Sequence, residues 1–267
     1  MWMTSRHTSG AMFKAFIVDF ILVRCCEMDR TFAQTIYDKN TQVFHSVFTH
    51  SKAHPVNNYE WYEKLGDAII ASVMPQYYME RFPKLAHDPS ATVARTVSQL
   101  AITYQSGTTM STIAQKMGFL KWVVAHRDGA APASYKEQQR LLEDTFEAMV
   151  GAISITMDDA TGVKCSGHIA CYRFLKYAYG LINMRLDGLI DNKSMLKELI
   201  DMHSSVLDSF TFEYTNNVMT LTVAQGKYTV SEANVNNLSK RELEKVLAGK
   251  VLAQLASDGY VHKSIRL

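Results

Sequence analysis

Two short acidic segments, about eighty residues apart, constrain this chain more than any other feature. The first runs Tyr59-Glu60-Trp61-Tyr62-Glu63-Lys64-Leu65-Gly66-Asp67-Ala68-Ile69-Ile70, and the second Leu142-Glu143-Asp144-Thr145-Phe146-Glu147-Ala148-Met149-Val150-Gly151-Ala152. Side chains three, four or seven apart on a helix share a face. Glu60, Glu63 and Asp67 therefore project in nearly one direction, and Asp144 and Glu147 project from one turn of another helix. A lone E-x-x-E-x-x-x-D reads most simply as a solvated face. The flanks argue otherwise, because Leu65, Ala68, Ile69 and Ile70 surround Asp67, and Leu141, Leu142, Phe146, Met149 and Val150 surround the second pair. Acids among core-facing neighbours need a partner, since a buried unpaired charge is costly. Arg140, one turn before Asp144, is one candidate. A hard divalent cation such as Mg²⁺ is the other, because it takes oxygen ligands and cancels their repulsion. Two such ions can clamp the attacking and leaving oxygens of a phosphodiester.

The segment from Asn57 to Ile70 resembles the ribonuclease III signature, usually N-x-E-R-L-E-F-L-G-D-x-V-L. Upstream, Val47-Phe48-Thr49-His50-Ser51 is similar to the family's A-L-T-H-x-S helix end. Thr112-Ile113-Ala114-Gln115-Lys116-Met117-Gly118 resembles its L-A-x-x-A-x-x-L-G segment, and Asp144 to Ile153 its second motif, D-A-F-E-A-L-I-G-A-I. Four blocks in the family's order cover roughly residues 45 to 180. On this resemblance Glu63, Asp67, Asp144 and Glu147 fall on the Mg²⁺-binding carboxylates, and Glu60 falls on the first Glu of the signature. All five acidic positions being filled, the resemblance implies a catalytic set of Glu60, Glu63, Asp67, Asp144 and Glu147. It implies an endoribonuclease that hydrolyses double-stranded RNA with Mg²⁺, for which Mn²⁺ can substitute, and leaves 5′-phosphate and 3′-hydroxyl ends. The metal would supply an activated water and stabilise the developing charge.

Three positions depart from the signature: Trp61 stands for the usual Arg, Tyr62 for Leu and Lys64 for Phe. In the family that Phe packs into a socket on the partner subunit of a homodimer. Lys64 cannot fill an apolar socket without burying charge, although its stem can lie along the surface while its ammonium finds a carboxylate across the two-fold axis. A homodimer remains the implied assembly, with the Phe contact replaced by Lys64.

Composition sets looser bounds. At 267 residues, 47% of them apolar and 20% charged, the chain can bury one or two cores of ordinary globular type. A formal charge of +2 does not announce a nucleic-acid binder, so any basic surface is local. Cys25, Cys26, Cys165 and Cys171 form neither a C-x-x-C nor a zinc pattern. They read as free thiols of an intracellular, cytoplasmic protein. The apolar run Phe13 to Val23, broken by Lys14 and Asp19, is too short and too charged to span a membrane, and Arg24-Cys25-Cys26-Glu27 makes no signal-peptide cleavage site. Residues 1–27 are read as a dispensable extension before the start-like Met28, with organelle import left open.

Residues 28–185 form the expected ribonuclease III-like domain, mainly helical. In it, Pro75 is expected to kink or end the signature helix, Asp88-Pro89-Ser90 to start a helix, Asp128 to Ser134 to form a loop, and Asp158 to Gly162 to form a turn. Residues 190–267 change character. Ser194 to Ile200 reads as a helix. Phe210 to Tyr214, Met219 to Val223 and Tyr228 to Ser231 alternate as strands, with turns at Asn216-Asn217 and Gln225-Gly226, and Ser239 to Lys250 reads as a last helix. The order αβββα resembles a double-stranded RNA-binding domain, a small α+β fold. Leu196-Lys197-Glu198-Leu199 is similar to its L-x-E-L helix and Ser239-Lys240-Arg241 to the basic start of its last helix. That resemblance implies RNA binding by Lys240, Arg241 and Lys245 through phosphates. The family's Gly-Pro-x-His loop is absent, Glu244 takes the place of a third base, and residues 191–267 hold nine acidic and nine basic side chains.

Two function classes follow. One is the Mg²⁺-dependent endoribonuclease. The other is a catalytically inactive relative that binds double-stranded RNA or assembles ribonucleoproteins, silencing suppression by sequestering short duplexes included, and it is motivated by Trp61, Tyr62 and Lys64. His50 is read as structural, the aromatic set Tyr172, Phe174, Tyr177 and Tyr179 as core and dimer packing, and the 14 Met as core filler.

Overall fold

The computed structural model describes residues 10–86, 92–186, 189, 191–235 and 237–261, so the Asp88-Pro89-Ser90 turn lies outside the described residues. The chain divides into two compact units, Met1–Met184 and Arg185–Leu267.

The first unit is helical: α1 (Phe16–Cys25, wound as a π-helix), α2 (Arg30–Lys39), α3 (Thr41–Val47), α4 (Glu60–Arg81), α5 (Pro83–Ala86), α6 (Thr92–Tyr104), α7 (Gly107–Lys116), a 3₁₀ turn (Phe119–Trp122), α8 (Tyr135–Thr161) and α9 (Gly167–Tyr179). Its centre is the crossing of α4 and α8. A Cβ on Gly66 would lie 1.8 Å from the Glu147 carbonyl oxygen, and one on Gly151 would lie 2.1 Å from that of Tyr62. The pairing of 66 with 147 and of 62 with 151 makes the two helices antiparallel. Only hydrogen on Cα allows backbones this close, so both glycines are required by approach rather than by a turn. Ile69, Ile70 and Met74 of α4 and Phe146, Val150 and Ile153 of α8 are all buried.

α4 continues through Pro75, which neither ends the helix nor divides it. The stop comes at Phe82, held at φ −126°, ψ 69° ahead of Pro83; a residue preceding proline is pushed out of the helical region. The expected turn at Asp158 to Gly162 is also moved. α8 runs to Thr161, and only Gly162, at φ +70°, leaves it. Asp158 is instead the acceptor that starts the next helix, taking the Cys165 and Gly167 amides at 2.8 Å each. These bonds hold its carboxyl below the usual range against the opposing pull of burial.

Residues 10–26, read from sequence as part of an extension, are built into this unit. Ile17, Ile21, Leu22, Cys25 and Cys26 are essentially inaccessible. Phe16 meets Phe119 and Trp122 at ring distances of 5.9 and 5.3 Å, and Phe13 meets Phe48 at 5.8 Å. The apolar run too short for a membrane is therefore a core helix, and a chain begun at Met28 would open this cluster.

The second unit holds α10 (Asn192–Met202), α11 (Ser204–Leu207), β1 (Phe210–Thr215), β2 (Val218–Val223), β3 (Tyr228–Ala233) and α12 (Lys240–Ser257). The antiparallel sheet has the order β1-β2-β3. Met219, Leu221 and Val223 of β2 are buried while the threonines between them are only partly so, the period-2 signature of one covered face. They share a core with Leu196 and Leu199 of α10 and Leu243, Leu247 and Val251 of α12. Asn216 and Asn217, at φ +53° and +61°, make the two-residue hairpin, the left-handed pair that matches strand twist. Ser239 and Glu242 close a reciprocal capping box on α12. Among the described residues the four cysteines are free, with Cys165 exposed and the others buried. No described helix is long and apolar enough to cross a membrane.

Candidate metal centre

The Gly66–Gly151 crossing determines where the acids go. Glu63 sits one turn before Gly66, and Asp144 and Glu147 sit in the two turns before Gly151, so the antiparallel approach points them into one space. Glu63, Asp144 and Glu147 offer carboxylate oxygens that all lie within 4.8 Å of one another. Asp67 lines the same cleft, an open hollow of about 600 Å³. Glu60 is not brought there. It is exposed at the first turn of α4, its amide held by the Asn58 side chain at 3.0 Å, and its charge is felt by His50 instead. His50 itself accepts the Lys52 amide at 3.0 Å and stacks edge-on with Tyr59, a structural arrangement. The aromatic set of α9 divides likewise: Phe174 and Tyr179 are buried in the core, and Tyr172 donates its hydroxyl to Glu80.

Three groups answer the negative charge. The Tyr59 hydroxyl donates to Asp144 Oδ2 at 2.8 Å. Arg140 Nε lies 3.9 Å from the same oxygen. Lys64 Nζ lies 2.6 Å from Glu63 Oε1. Among the described residues Glu147 has no ion pair, and its residue is only 8% exposed. Burial, reinforced by the charges of Asp67, Glu143, Glu63 and Asp144, pushes the Glu147 carboxyl up to about 8. Burial likewise raises Asp144 to about 6, against the lowering effect of the Tyr59 hydrogen bond. Burial and the neighbouring carboxylates thus favour a proton on Glu147 at neutral pH and bring Asp144 partway toward one. The donor set, all carboxylate oxygen and clustered within one ion's reach, fits a hard divalent cation.

A pH dependence follows with a definite sign. The folded-state pKa values of Glu147 and Asp144 lie above the unfolded ones, so their contribution is fully present below about pH 4 and is lost as pH rises through about 6 and then about 8. In EDTA, thermal stability is expected to fall between about pH 5 and pH 8 by roughly 2–3 kcal/mol, after allowance for screening in an open cleft. In Mg²⁺ the fall should be largely removed, since the ion favours the ionised forms. Melting curves across that range, with Mg²⁺ or EDTA, check it; a metal-free protein that gains stability from pH 5 to 8 would contradict it.

Sequence reasoning missed Glu143. It lines the cleft, and burial raises its carboxyl above the usual range. Its carboxylate fits against Gly107, where a Cβ would come within 2.2 Å of Oε2. The spacing of Glu143 to Glu147 placed both on one helix face, a legible signal; the glycine notch on α7, remote in sequence, was not. Tyr59 was missed because only the fold brings its hydroxyl to Asp144, 85 residues away.

In the second unit Lys240 and Arg241 are exposed at the start of α12. Lys245 faces Asp191 at 4.0 Å, and Glu244, in the third-base position, is paired with Lys193 at 2.7 Å. Part of this basic surface is thus neutralised from within.

Residues 60–158 match the family model of the Ribonuclease III domain. A putative ribonuclease 3 of Frog virus 3 (isolate Goorha) is 30% identical over 220 residues, covering 82% of this chain and 57% of the viral protein. The chain therefore spans little more than half the length of that relative. Ribonuclease 3 of Francisella tularensis subsp. novicida is 25% identical over 210 residues, 77% of this chain and 85% of the bacterial protein. The solved nuclease domain of ribonuclease III from Campylobacter jejuni is 20% identical, with a TM-score of 0.39 over 58% of this chain and 95% of that one. Residues 60–158 of the chain are thus a Ribonuclease III domain, and the chain is similar over most of its length to these viral and bacterial ribonucleases 3.

Proposed function

We propose that the protein is an endoribonuclease that hydrolyses phosphodiester bonds in double-stranded RNA with Mg²⁺, leaving 5′-phosphate and 3′-hydroxyl ends. The observation that carries this reading is the convergence of Glu63, Asp144 and Glu147 within 4.8 Å, with Asp67 on the same cleft wall. Those four carboxylates are the ligands we assign to Mg²⁺, or to Mn²⁺ in its place, and Glu60 stands outside the metal set. Bound there, the metal would lower the pKa of water and neutralise charge developing on the phosphate. The chain's own groups arrange the rest. Tyr59 fixes the orientation of Asp144. The bare Cα of Gly66 and of Gly151 holds the two acidic helices at a separation that side chains would widen. Lys136 and Arg140 stand at the cleft with the acids and offer charge to a backbone phosphate. Two copies of the chain, each with one cleft, would cut opposing strands, with Lys64 at the position of the family's Phe contact.

Duplex RNA labelled at either end tests the reading. Cleavage is expected in Mg²⁺, none in EDTA, and products should accept ligation at a 5′-phosphate without prior kinase treatment. Uncut duplex in Mg²⁺ under conditions where it is bound would favour the noncatalytic alternative.

The RNA-binding role assigned to Lys240, Arg241 and Lys245 makes a separate expectation. Each lost phosphate contact lowers the slope of log affinity on log salt by roughly 0.9. Lys240→Ala with Arg241→Ala should flatten it by roughly 1–2 units, and Lys245→Ala, already facing Asp191, by less. Binding titrations at several salt concentrations decide this, and an unchanged slope in the double variant removes the role.

A further inference from the structure

We infer that Lys64 is the resident counter-cation of the metal centre, an ammonium that a divalent ion must displace from Glu63 before the site is complete. The inference rests on reading the acidic cluster as a divalent-cation site. Its own observation is the pair itself: Lys64 Nζ is 2.6 Å from Glu63 Oε1, and the Glu63 side chain is 15% exposed while that of Lys64 is 78% exposed. Successive residues on a helix diverge by about 100°, so the two do not share a face; the lysine stem bends back along the surface to bring its ammonium to the cleft, which it lines.

Isolated surface pairs contribute little, but this acceptor is not isolated. Glu63 is one of three acids with oxygens within 4.8 Å, and their repulsion makes any cation at that point more favourable than beside a lone carboxylate. Among the described residues, Lys64 is the side-chain cation paired with Glu63, as Arg140 is with Asp144. A flexible, singly charged ammonium can leave without disturbing the core, because its stem is solvated. A divalent ion ligated by Glu63 needs the oxygen that Lys64 holds. The lysine therefore stabilises the metal-free site and competes with the metal, setting the concentration at which the centre fills. An apolar side chain at this position would not compete.

The test is Mn²⁺ binding to the whole protein without RNA, followed by calorimetry and by the loss of free-ion paramagnetic resonance signal. Lys64→Gln should bind Mn²⁺ roughly five- to tenfold more tightly than wild type, the size of losing one nearby cation at high effective dielectric. Lys64→Arg, which keeps the charge, should return close to the wild-type value. Lys136→Gln, which removes a cleft lysine that makes no ion pair among the described residues, should change affinity less than Lys64→Gln. Unchanged or weaker binding by Lys64→Gln overturns the inference, and so does an equal gain in Lys136→Gln, which would assign the effect to the general field of the cleft. If Glu147→Gln binds Mn²⁺ as well as wild type does, the metal centre itself is misplaced and this inference falls with it.

Discussion

Gly66→Ala is expected to disrupt the first unit rather than adjust it. The added Cβ would sit 1.8 Å from the Glu147 carbonyl oxygen and 3.0 Å from the Gly151 nitrogen. Both are backbone atoms of a helix whose buried residues run from Leu141 to Thr156, so neither can turn aside as a side-chain end does. The helices must separate, and the packing around the buried Ile70, Phe146 and Val150 loosens with them. Overpacking ordinarily costs 1–3 kcal/mol; with backbone on the far side, about 3 kcal/mol or more is expected, or roughly 6–12 °C in melting temperature for a unit of this size. The acids should lose their convergence in the same step, and with it Mn²⁺ affinity. A helix former replacing glycine would otherwise gain up to about 1 kcal/mol, so a Gly66→Ala protein that melts at or above the wild-type temperature would show that the crossing is not as close as described.

Glu147→Gln is expected to act in opposite directions on stability and on chemistry. At pH 7 the fold holds Glu147 protonated, because its carboxyl is raised to about 8 by burial and by the neighbouring acids. Keeping a proton on a group whose ordinary pKa is about 4.3 costs free energy that glutamine, neutral and of equal size, does not cost. In EDTA at pH 7 the variant should therefore be more stable than wild type by about 1–3 kcal/mol, with the gain shrinking toward pH 5. Its cleavage of duplex RNA should fall by more than roughly a hundredfold, since one of the assigned ligands is gone. Such opposition marks a site kept for function at the expense of the fold. A variant that loses stability and activity together would instead place Glu147 in a structural role.

How much of this was legible in sequence depends on distance along the chain. The periodicity that put Asp144 and Glu147 on one turn, and Glu63 with Asp67 on another, needed only local spacing. Strand alternation at Met219, Leu221 and Val223 was local too, as was the Asn216-Asn217 turn, and the small sheet could be read residue by residue. What failed needed tertiary context. Pro75 reads as a kink or an end, and it does not end α4, because the packed helix on either side outweighs one lost hydrogen bond. The apolar run from Phe13 looked like a removable extension because nothing nearby in sequence could show that Phe119 and Trp122 wait for it. Glu60 obeyed the spacing rule yet lies a turn outside the cleft: three residues on a helix share a face only approximately, and the extra turn carries it past the crossing. The Lys64–Glu63 pair was invisible because adjacent residues are not expected to meet.

The most direct test of the account is cleavage of a long labelled RNA duplex by wild type and by Glu147→Gln, each in Mg²⁺ and in EDTA, with binding of the same duplex followed on a native gel. The account predicts cutting by wild type in Mg²⁺ alone, and binding without cutting by a well-folded Glu147→Gln. Cutting by Glu147→Gln at the wild-type rate would contradict the metal centre, and a wild-type protein that binds duplex but leaves it whole in Mg²⁺ would contradict the nuclease.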